Sequence, residues 1–305
     1  MKQREKSTLA EEAAQMLFTF CGTLCILAVA AVTFYMIVSG IPAIRRIGLS
    51  GILFGTAWNP TGKEPEFGIL YIILTSLIGT FMAAMIGVPV GVLTAVYLAE
   101  LSGRRQAWAV KSAVEVLAGI PSVIYGLLGI YLLNPLMYRL ERAVFADSDT
   151  HRFTGGANLL SAALVLAVMI LPTVINISES SLRAVNPGIR EASMALGATR
   201  IQTVFCSLLP GAAPGIATAV VLGLGRAMGE AMAITLVSGG CVNPPFPFRS
   251  VRFLTTALVS EMGYAHGLHR QVLFTIGLVL FVFIMLVNLA VDGILRKRAE
   301  RWENE

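Results

Sequence analysis

The sequence predicts an all-α polytopic membrane protein with about six transmembrane helices, because of its composition and its apolar blocks. Hydrophobic residues make up 56% of the 305 residues and charged residues only 13%, whereas charged residues are about 25% of a typical soluble domain. The mean hydropathy is +0.75. A helix of about 20 apolar residues crosses the hydrocarbon core of a bilayer. Since backbone groups in lipid must find partners within the protein, we expect each span to be helical.

Six apolar blocks are long enough to cross a bilayer. They divide the chain into an N-terminal tail (1–16), a transmembrane domain (17–295) and a basic tail (296–305). The first block follows a charged segment and shows no clear small-residue cleavage pattern, so we expect a retained helix rather than a signal peptide. The blocks lie at 17–38, 69–97, 113–134, 157–177, 211–237 and 272–292.

The Lys and Arg residues between the blocks indicate the orientation of the chain. If the termini are inside, the inside segments carry thirteen of these residues and the outside loops nine. Cytoplasmic loops are enriched in Lys and Arg. The cluster Arg296, Lys297 and Arg298 also follows directly after the last block. We therefore predict that both termini are cytoplasmic.

Several classes of function are disfavoured by what the sequence lacks. The net charge of +5 is scattered through the loops rather than gathered into a basic patch, which argues against a nucleic-acid binder. The sequence contains no Gly-rich phosphate loop and no nucleophile elbow. We therefore expect this chain to be neither an enzyme nor the site of ATP hydrolysis.

The sequence contains two pairs of potential metal ligands, and we predict that neither pair binds a metal. Cys21 and Cys25 lie one helical turn apart in the first block, without a His or a further Cys beside them. We favour apolar packing for them over a redox or metal pair. His266 and His269 lack a third ligand in their segment, so we predict no metal site there.

The segment 178–215 predicts a short helix between the fourth and fifth blocks. Asn186 and Pro187 precede a helix expected to begin at position 188 or 189. Glu191 is expected in its first turn, where a carboxylate suits the helix dipole. Gly197 is expected to end the helix. A helix outside the membrane thus joins two spans.

This segment resembles the EAA loop of ABC importer permeases, at about 186–210. The family pattern is E-A-A, three residues, G, nine residues, I, one residue and L-P; Ser193 stands for the second Ala and Ser207 for the Ile. The resemblance implies the type I importer permease fold and a loop helix that docks on a separate ATPase subunit, which would bind ATP–Mg while this chain binds no cofactor. A chance match in an ordinary loop is the alternative. The matching residues are Glu191, Ala192, Gly197, Leu209 and Pro210.

Further stretches are similar to the phosphate-importer permeases, and the tail from Thr256 is similar to their C-type member. The resemblance implies ATP-driven import of inorganic phosphate across the bacterial inner membrane. It also implies a second, related permease, two ATPase subunits and an external phosphate-binding protein. The alternatives are a permease for another oxyanion, such as molybdate or sulfate, and a secondary transporter, for which the repeated halves are missing. The stretches are FGTAWNP (54–60), EFGILYIILTSL (66–77), AGIPSVIYGLLG (118–129) and GLGRAMGEAMAI (223–234).

Two opposite charges within the fifth block are the best candidates for the substrate pathway. Arg226 and Glu230 are four residues apart, so on a continuous helix they would share one face. A charge near the bilayer centre costs about 2.5 to 3.5 kcal/mol on insertion scales, so it usually has a role. Arg226 would offer its planar guanidinium to phosphate, with Glu230 holding or gating it. The alternative is a self-satisfied pair that only fixes helix packing.

Four further polar residues have weaker interpretations. Glu115 is expected near the membrane surface, with its carboxylate reaching water or a neighbouring cation such as Lys111. Ser122, Tyr125 and Asn134 are candidates for a polar path, although hydrogen bonds between helices explain Ser122 and Tyr125 equally well.

Overall fold

The computed structural model describes residues 2–148 and 150–303, and the side chains of 11–12, 14–148, 150–290 and 293. Helices dominate the described chain, and one two-stranded antiparallel hairpin accompanies them, so the all-α prediction is confirmed. The first half comprises α1 (Lys2–Ile47), α2 (Leu49–Phe54), β1 (Trp58–Asn59), β2 (Glu66–Phe67), α3 (Leu70–Val96), α4 (Arg104–Gly119), α5 (Ser122–Leu128) and α6 (Asn134–Val144).

The second half begins with α7 (Leu159–Ala184), the most buried of the candidate membrane spans, and ends with a long terminal helix. Three π-helical turns, Tyr97–Leu101, Gly129–Leu133 and Val204–Leu208, extend or join the α-helices. The elements are α7 (Leu159–Ala184), α8 (Pro187–Ala195), α9 (Arg200–Thr203), α10 (Leu209–Gly211), α11 (Ala213–Gly229), α12 (Met232–Val237), α13 (Leu254–Glu261) and α14 (Gly267–Glu303).

Within the described part of the chain, five continuous helical segments are long and apolar enough to cross a membrane, and one bent pair brings the number to six if it counts as one span. The bent pair, Arg200–Gly211 with Ala213–Gly229, turns by 70°. The predicted tails are helical where the structure describes them, since α1 begins at Lys2 and α14 continues to Glu303. The five segments are Ala14–Ile47, Leu70–Leu101, Ser122–Val144, Leu159–Ala184 and Gly267–Ala290.

The third predicted block, 113–134, is wrong as a single span. Its helix breaks at Ile120, which is extended at φ −70° and ψ 126°, because a residue before proline is pushed away from helical geometry and Pro121 cannot donate a hydrogen bond. The long apolar segment starts only after the break, at Ser122. The Tyr125 hydroxyl donates to the Leu117 carbonyl at 2.6 Å, which satisfies an acceptor at the end of α4.

The fifth predicted block, 211–237, is also discontinuous. It bends at Ala212, after which Pro214 occupies the first turn of α11, a position that needs no N–H donor. The helix ends at Gly229, and Glu230 is extended at φ −73° and ψ 128°. A new helix, α12, starts at Met232. The pathway candidates therefore lie beside a break in the helix.

The packing centre of the described chain is the pair α3 and α7. A Cβ on Gly87 would come within 2.7 Å of Ile170 Cδ1, and a Cβ on Gly91 within 2.7 Å of Val174 Cγ1. These glycines permit close approach, as small residues do between membrane helices. By contrast, α1 packs mainly along α14, where the Thr275 hydroxyl donates to the Gly40 carbonyl at 3.1 Å. The helices α3 and α7 thus form the closely packed centre of the bundle.

Candidate functional site

The predicted loop helix exists as α8, but it starts earlier than expected. Asn186 caps it, because its Oδ1 accepts from the Gly188 backbone N–H at 2.9 Å, and Pro187 is the first helical residue. Proline is favoured at that position because its fixed φ suits the helix and its missing donor is not needed. Glu191 is therefore the fifth helical residue, and its expected place in the first turn is wrong.

Gly197 ends α8 in the way the sequence predicted. Its φ is +89°, a conformation that glycine adopts without the Cβ penalty of other residues. Its N–H donates to the Met194 carbonyl at 3.0 Å, and the Ala198 N–H donates to the Ser193 carbonyl at 3.2 Å. This double closure is the Schellman motif, which satisfies the last carbonyls of the helix.

The helix α8 is exposed along almost its whole length. None of its residues is buried. The exposed fraction is 43% for Ile189, 50% for Met194 and 89% for Leu196, which follows the helix. Glu191 and Ala192 are exposed on the same short helix. A helix with this much exposed apolar surface outside the apolar blocks suits contact with another protein.

The other two predicted coupling residues lie at the base of the loop. Leu209 packs, half-buried, against a cluster formed by residues that include Ala95, Leu182 and Val204. Pro210 lies beside it in α10, before the 70° bend. The structure therefore places Glu191, Ala192 and Gly197 at the exposed tip, and Leu209 and Pro210 where the loop joins the bundle.

A buried carboxylate that the sequence interpretation missed connects α8 to the C-terminal end of α3. Glu100 lies in the π-helical turn after α3 and is 4% exposed. Its Oε1 accepts from the guanidinium of Arg190 on α8. Its backbone carbonyl accepts from Arg200 on α9. The position of Glu100 directly after an apolar block was the available signal, but the sequence did not name its partners.

A second buried carboxylate, Glu179, joins the same end of the bundle. Arg183 donates from Nε to Glu179 Oε1 at 2.9 Å, and also from its terminal nitrogen to the Leu98 carbonyl at 3.0 Å. Lys111 Nζ lies 3.6 Å from Glu179 Oε2. Lys111 thus pairs with Glu179, and Glu115 is exposed with no ion pair among the described side chains.

The expected ion pair between Arg226 and Glu230 does not form. No salt bridge joins them among the described residues, because the helix ends at Gly229 before Glu230 is reached. Arg226 is exposed in the isolated chain, and its guanidinium lies 3.4 Å from the Thr173 hydroxyl. Glu230 Oε1 instead accepts from the Ala233 N–H at 3.0 Å, in the first turn of α12.

The break itself is held in place by a neighbouring helix. The Thr255 hydroxyl, on α13, donates to the Glu230 backbone carbonyl at 2.7 Å. Glu230 thus has both its carboxylate and its carbonyl engaged at the break. Arg226, in contrast, keeps most of its donors free of partners within the described residues.

The remaining polar candidates do not form a common path. Tyr125 is buried, and its hydroxyl donates to the Leu117 carbonyl of the preceding helix, α4. Asn134 is buried, and its Oδ1 has no hydrogen-bond partner among the described residues. Ser122 is half-buried at the start of α5. Of these three residues and Arg226, Arg226 is the one that is exposed.

The two histidines considered as metal ligands differ in burial. His269 is buried, and its Nε2 lies 2.7 Å from Glu261 Oε2, whereas His266 is exposed. Glu261 also pairs with Arg252 and accepts from Trp58 Nε1 at 3.1 Å. Within the described residues, no group of three His, Cys, Asp or Glu side chains is arranged to hold a metal.

The two cysteines of the first block, Cys21 and Cys25, do not pack as predicted. Cys21 and Cys25 are free thiols. Both are exposed on α1 rather than packed inside the described chain. The expected apolar packing is therefore wrong within this chain, because α1 touches the bundle along only one side and leaves most of its apolar surface uncovered.

A bundle of membrane-spanning helices that exposes a capped helix between two spans is the architecture of a transport permease. The chain belongs to the family of binding-protein-dependent transport system inner membrane components, whose sequence model matches residues 87–301. It is thus a multi-pass inner-membrane permease subunit of an ABC importer.

Curated relatives cover most of the chain. A probable ABC transporter permease protein, YqgH of Bacillus subtilis, is 37% identical over 94% of this chain and 93% of its own length. The phosphate transport system permease protein PstC of Haemophilus influenzae is 33% identical over 85% of this chain and 84% of its own. PstC 1 of Mycobacterium tuberculosis is 33% identical over 84% of this chain and 85% of its own.

Solved structures agree on the fold. A chain of a bacterial alginate ABC transporter superposes with a TM-score of 0.67 at 17% identity and covers 93% of this chain and 95% of its own. A chain of the methionine ABC transporter MetNI, in an inward-facing conformation, gives a TM-score of 0.51 at 26% identity over 76% of this chain and 94% of its own. The type I importer permease fold implied by the EAA-loop resemblance is thus confirmed.

Proposed function

We propose that this permease moves inorganic phosphate into the cell. The observation that carries the proposal is its relatedness, along most of its length, to several permeases named for phosphate transport. An exposed arginine at a helix break within the fifth span adds a physical reason. A guanidinium suits a phosphate oxyanion because its fork of donors matches two oxygens at once.

In this proposal, Arg226 is the anion-binding group of the path. Its positive charge has no ion-pair partner among the described residues, so the charge is available to a passing anion. Its side-chain hydrogen bond within the described residues is long, at 3.4 Å to the Thr173 hydroxyl, and a bond of that length is weak. Glu230 modulates the path by holding the first turn of α12 next to the arginine.

The proposal places ATP hydrolysis on a separate subunit. The exposed apolar residues Ile189, Met194 and Leu196 form a surface that suits docking on an ATPase. Two such subunits would bind ATP–Mg and drive transport, and this chain would bind no cofactor. A second, related permease would face the Arg226 side of the bundle, and an external phosphate-binding protein would deliver the substrate to the loops at the opposite end.

Measuring transport tests the substrate directly. In proteoliposomes containing the full importer and its binding protein, we expect ATP-dependent uptake of radiolabelled phosphate. Unlabelled phosphate should compete, whereas sulfate or molybdate in excess should not, because the proposed path is selective for phosphate. Uptake of radiolabelled molybdate or sulfate without uptake of phosphate would assign the permease to another oxyanion.

Cysteine labelling tests the proposed orientation with cytoplasmic termini and a cytoplasmic α8. In a variant whose four cysteines are replaced by serine, a single Leu196→Cys should react with a membrane-impermeant maleimide only after the cells are opened, because Leu196 is 89% exposed and would face the cytoplasm in the proposed orientation. A single Phe246→Cys, 60% exposed in the loop before α13, is the matched control and should react in intact cells. The reverse pattern would invert the topology.

A further inference from the structure

The attachment of α8 to the bundle is polar. None of its residues is buried, so apolar packing does not fix it. Two side-chain contacts of α8 with other elements stand out. The Ser193 hydroxyl lies 3.0 Å from that of Thr203, on the helix that follows in the chain. The guanidinium of Arg190 reaches Glu100, which lies 90 positions earlier in the sequence. The second contact is therefore the one that links α8 to a membrane-spanning helix distant in sequence.

Glu100 is buried and is held by contacts to two arginines. It is 4% exposed, while the side chain of Arg190 is 45% exposed. A buried carboxylate is costly unless it is paired and hydrogen-bonded, so its geometry is tightly set. Its own backbone carbonyl accepts from Arg200. Two arginines of the loop, Arg190 within α8 and Arg200 at the start of α9, are thus joined to this single residue.

The backbone around Glu100 departs from an ordinary helix. It lies in the π-helical turn Tyr97–Leu101, in which the Ser102 N–H donates to the Tyr97 carbonyl at 2.8 Å. Such turns are rare and often occur at functional positions. Since α3 packs along α7 through close glycine contacts, a displacement of Glu100 would be passed to the central helix pair.

We propose that Glu100 is a positioning residue that transmits movement of α8 to the membrane helices by holding Arg190 with its carboxylate and Arg200 with its carbonyl. This proposal rests on one part of the proposed function, namely that an ATPase subunit docks on α8 and moves it. The nature of the transported anion does not enter it. Glu100 itself is too buried to touch a partner protein.

A double-mutant cycle in the assembled importer tests the proposal. The readout is the amount of substrate transported per ATP hydrolysed, together with the amount of ATPase that copurifies. Glu100→Gln should lower this ratio by about tenfold, since losing a hydrogen bond between charged groups commonly has an effect of this size. Arg190→Gln should do the same, and the double variant should be no worse than either single one, because both residues act through one contact.

The controls separate a positioning role from simple misfolding. Glu115→Gln removes an exposed carboxylate on the neighbouring helix α4 and should leave the ratio unchanged. In hydrogen exchange of the purified complex, Glu100→Gln and Arg190→Gln should speed exchange in α8 while exchange in α3 and α7 stays the same. This measurement needs no transported substrate, so it distinguishes a failed anchor from a wrong assignment of phosphate.

Three outcomes would overturn the proposal. The first is an unchanged transport ratio in both single variants. The second is a double variant whose loss is the product of the two single losses, which would mean that the residues act independently. The third is unchanged exchange in α8. If Glu100→Gln does not assemble, the half-exposed partner Arg190 tests the same contact by itself, because replacing it leaves Glu100 with its native side chain.

Discussion

Replacing Arg226 by glutamine should reduce phosphate uptake per assembled importer at least about tenfold, because the substitution removes a charge-assisted hydrogen bond to the anion. Folding should be less affected, since Arg226 is exposed and, among the residues that the structure describes, its side chain makes only one long hydrogen bond. Uptake is measured in proteoliposomes and divided by the amount of complex that assembles. Arg139→Gln is the matched control, an exposed arginine on α6 that should leave uptake intact.

Two further variants define what Arg226 does. Arg226→Lys keeps the charge but loses the planar fork, so partial uptake would indicate electrostatic guidance and no uptake would indicate bidentate recognition. The double variant with Glu230→Gln should be as inactive as Arg226→Gln, because the structure shows no ion pair whose loss needs compensation. Full recovery in the double variant would contradict the role of Arg226 in the path.

Replacing Gly197 by valine should uncouple ATP hydrolysis from transport without removing the protein from the membrane. The φ of +89° at this residue is unfavourable by about 1 to 2 kcal/mol for a residue with a side chain, and more for a β-branched one. We therefore expect the Schellman closure after α8 to open and the helix to lose its end. Phosphate transported per ATP hydrolysed should fall several-fold, on the order of one such penalty.

The matched control for this variant is Gly48→Val. Gly48 also has a positive φ, +86°, and a Cβ would meet nothing within 4 Å at either glycine. Both substitutions thus place a side chain at a positive φ, but at different places in the chain. Normal coupling in Gly197→Val, or equal uncoupling in Gly48→Val, would show that the end of α8 is not a coupling element.

Features that depend on neighbouring residues in the chain were predicted well. Four of the six apolar blocks located continuous spans, since crossing a bilayer is a matter of length and hydropathy. Gly197 was recognised as a helix end, because only the local conformation at that residue decides it. The start of α8 was displaced by one or two residues, because Pro187 can equally precede a helix or begin it.

Features that depend on distant residues were decided by the tertiary structure. Hydropathy did not distinguish a continuous fifth span from one that ends at Gly229, and the pairing of Arg226 with Glu230 was therefore wrong. Lys111 pairs with Glu179 rather than with its sequence neighbour Glu115.

The sequence by itself determined that this is a helical membrane permease with an exposed helix between two spans, because hydropathy and capping are local properties. Only the tertiary structure decided which charge meets which. Glu100 and Arg190 are 90 positions apart, and they meet because α3 and the loop that carries α8 end at the same edge of the bundle. The free energy of an ion pair depends on distance and burial, and neither quantity can be read from positions along the chain.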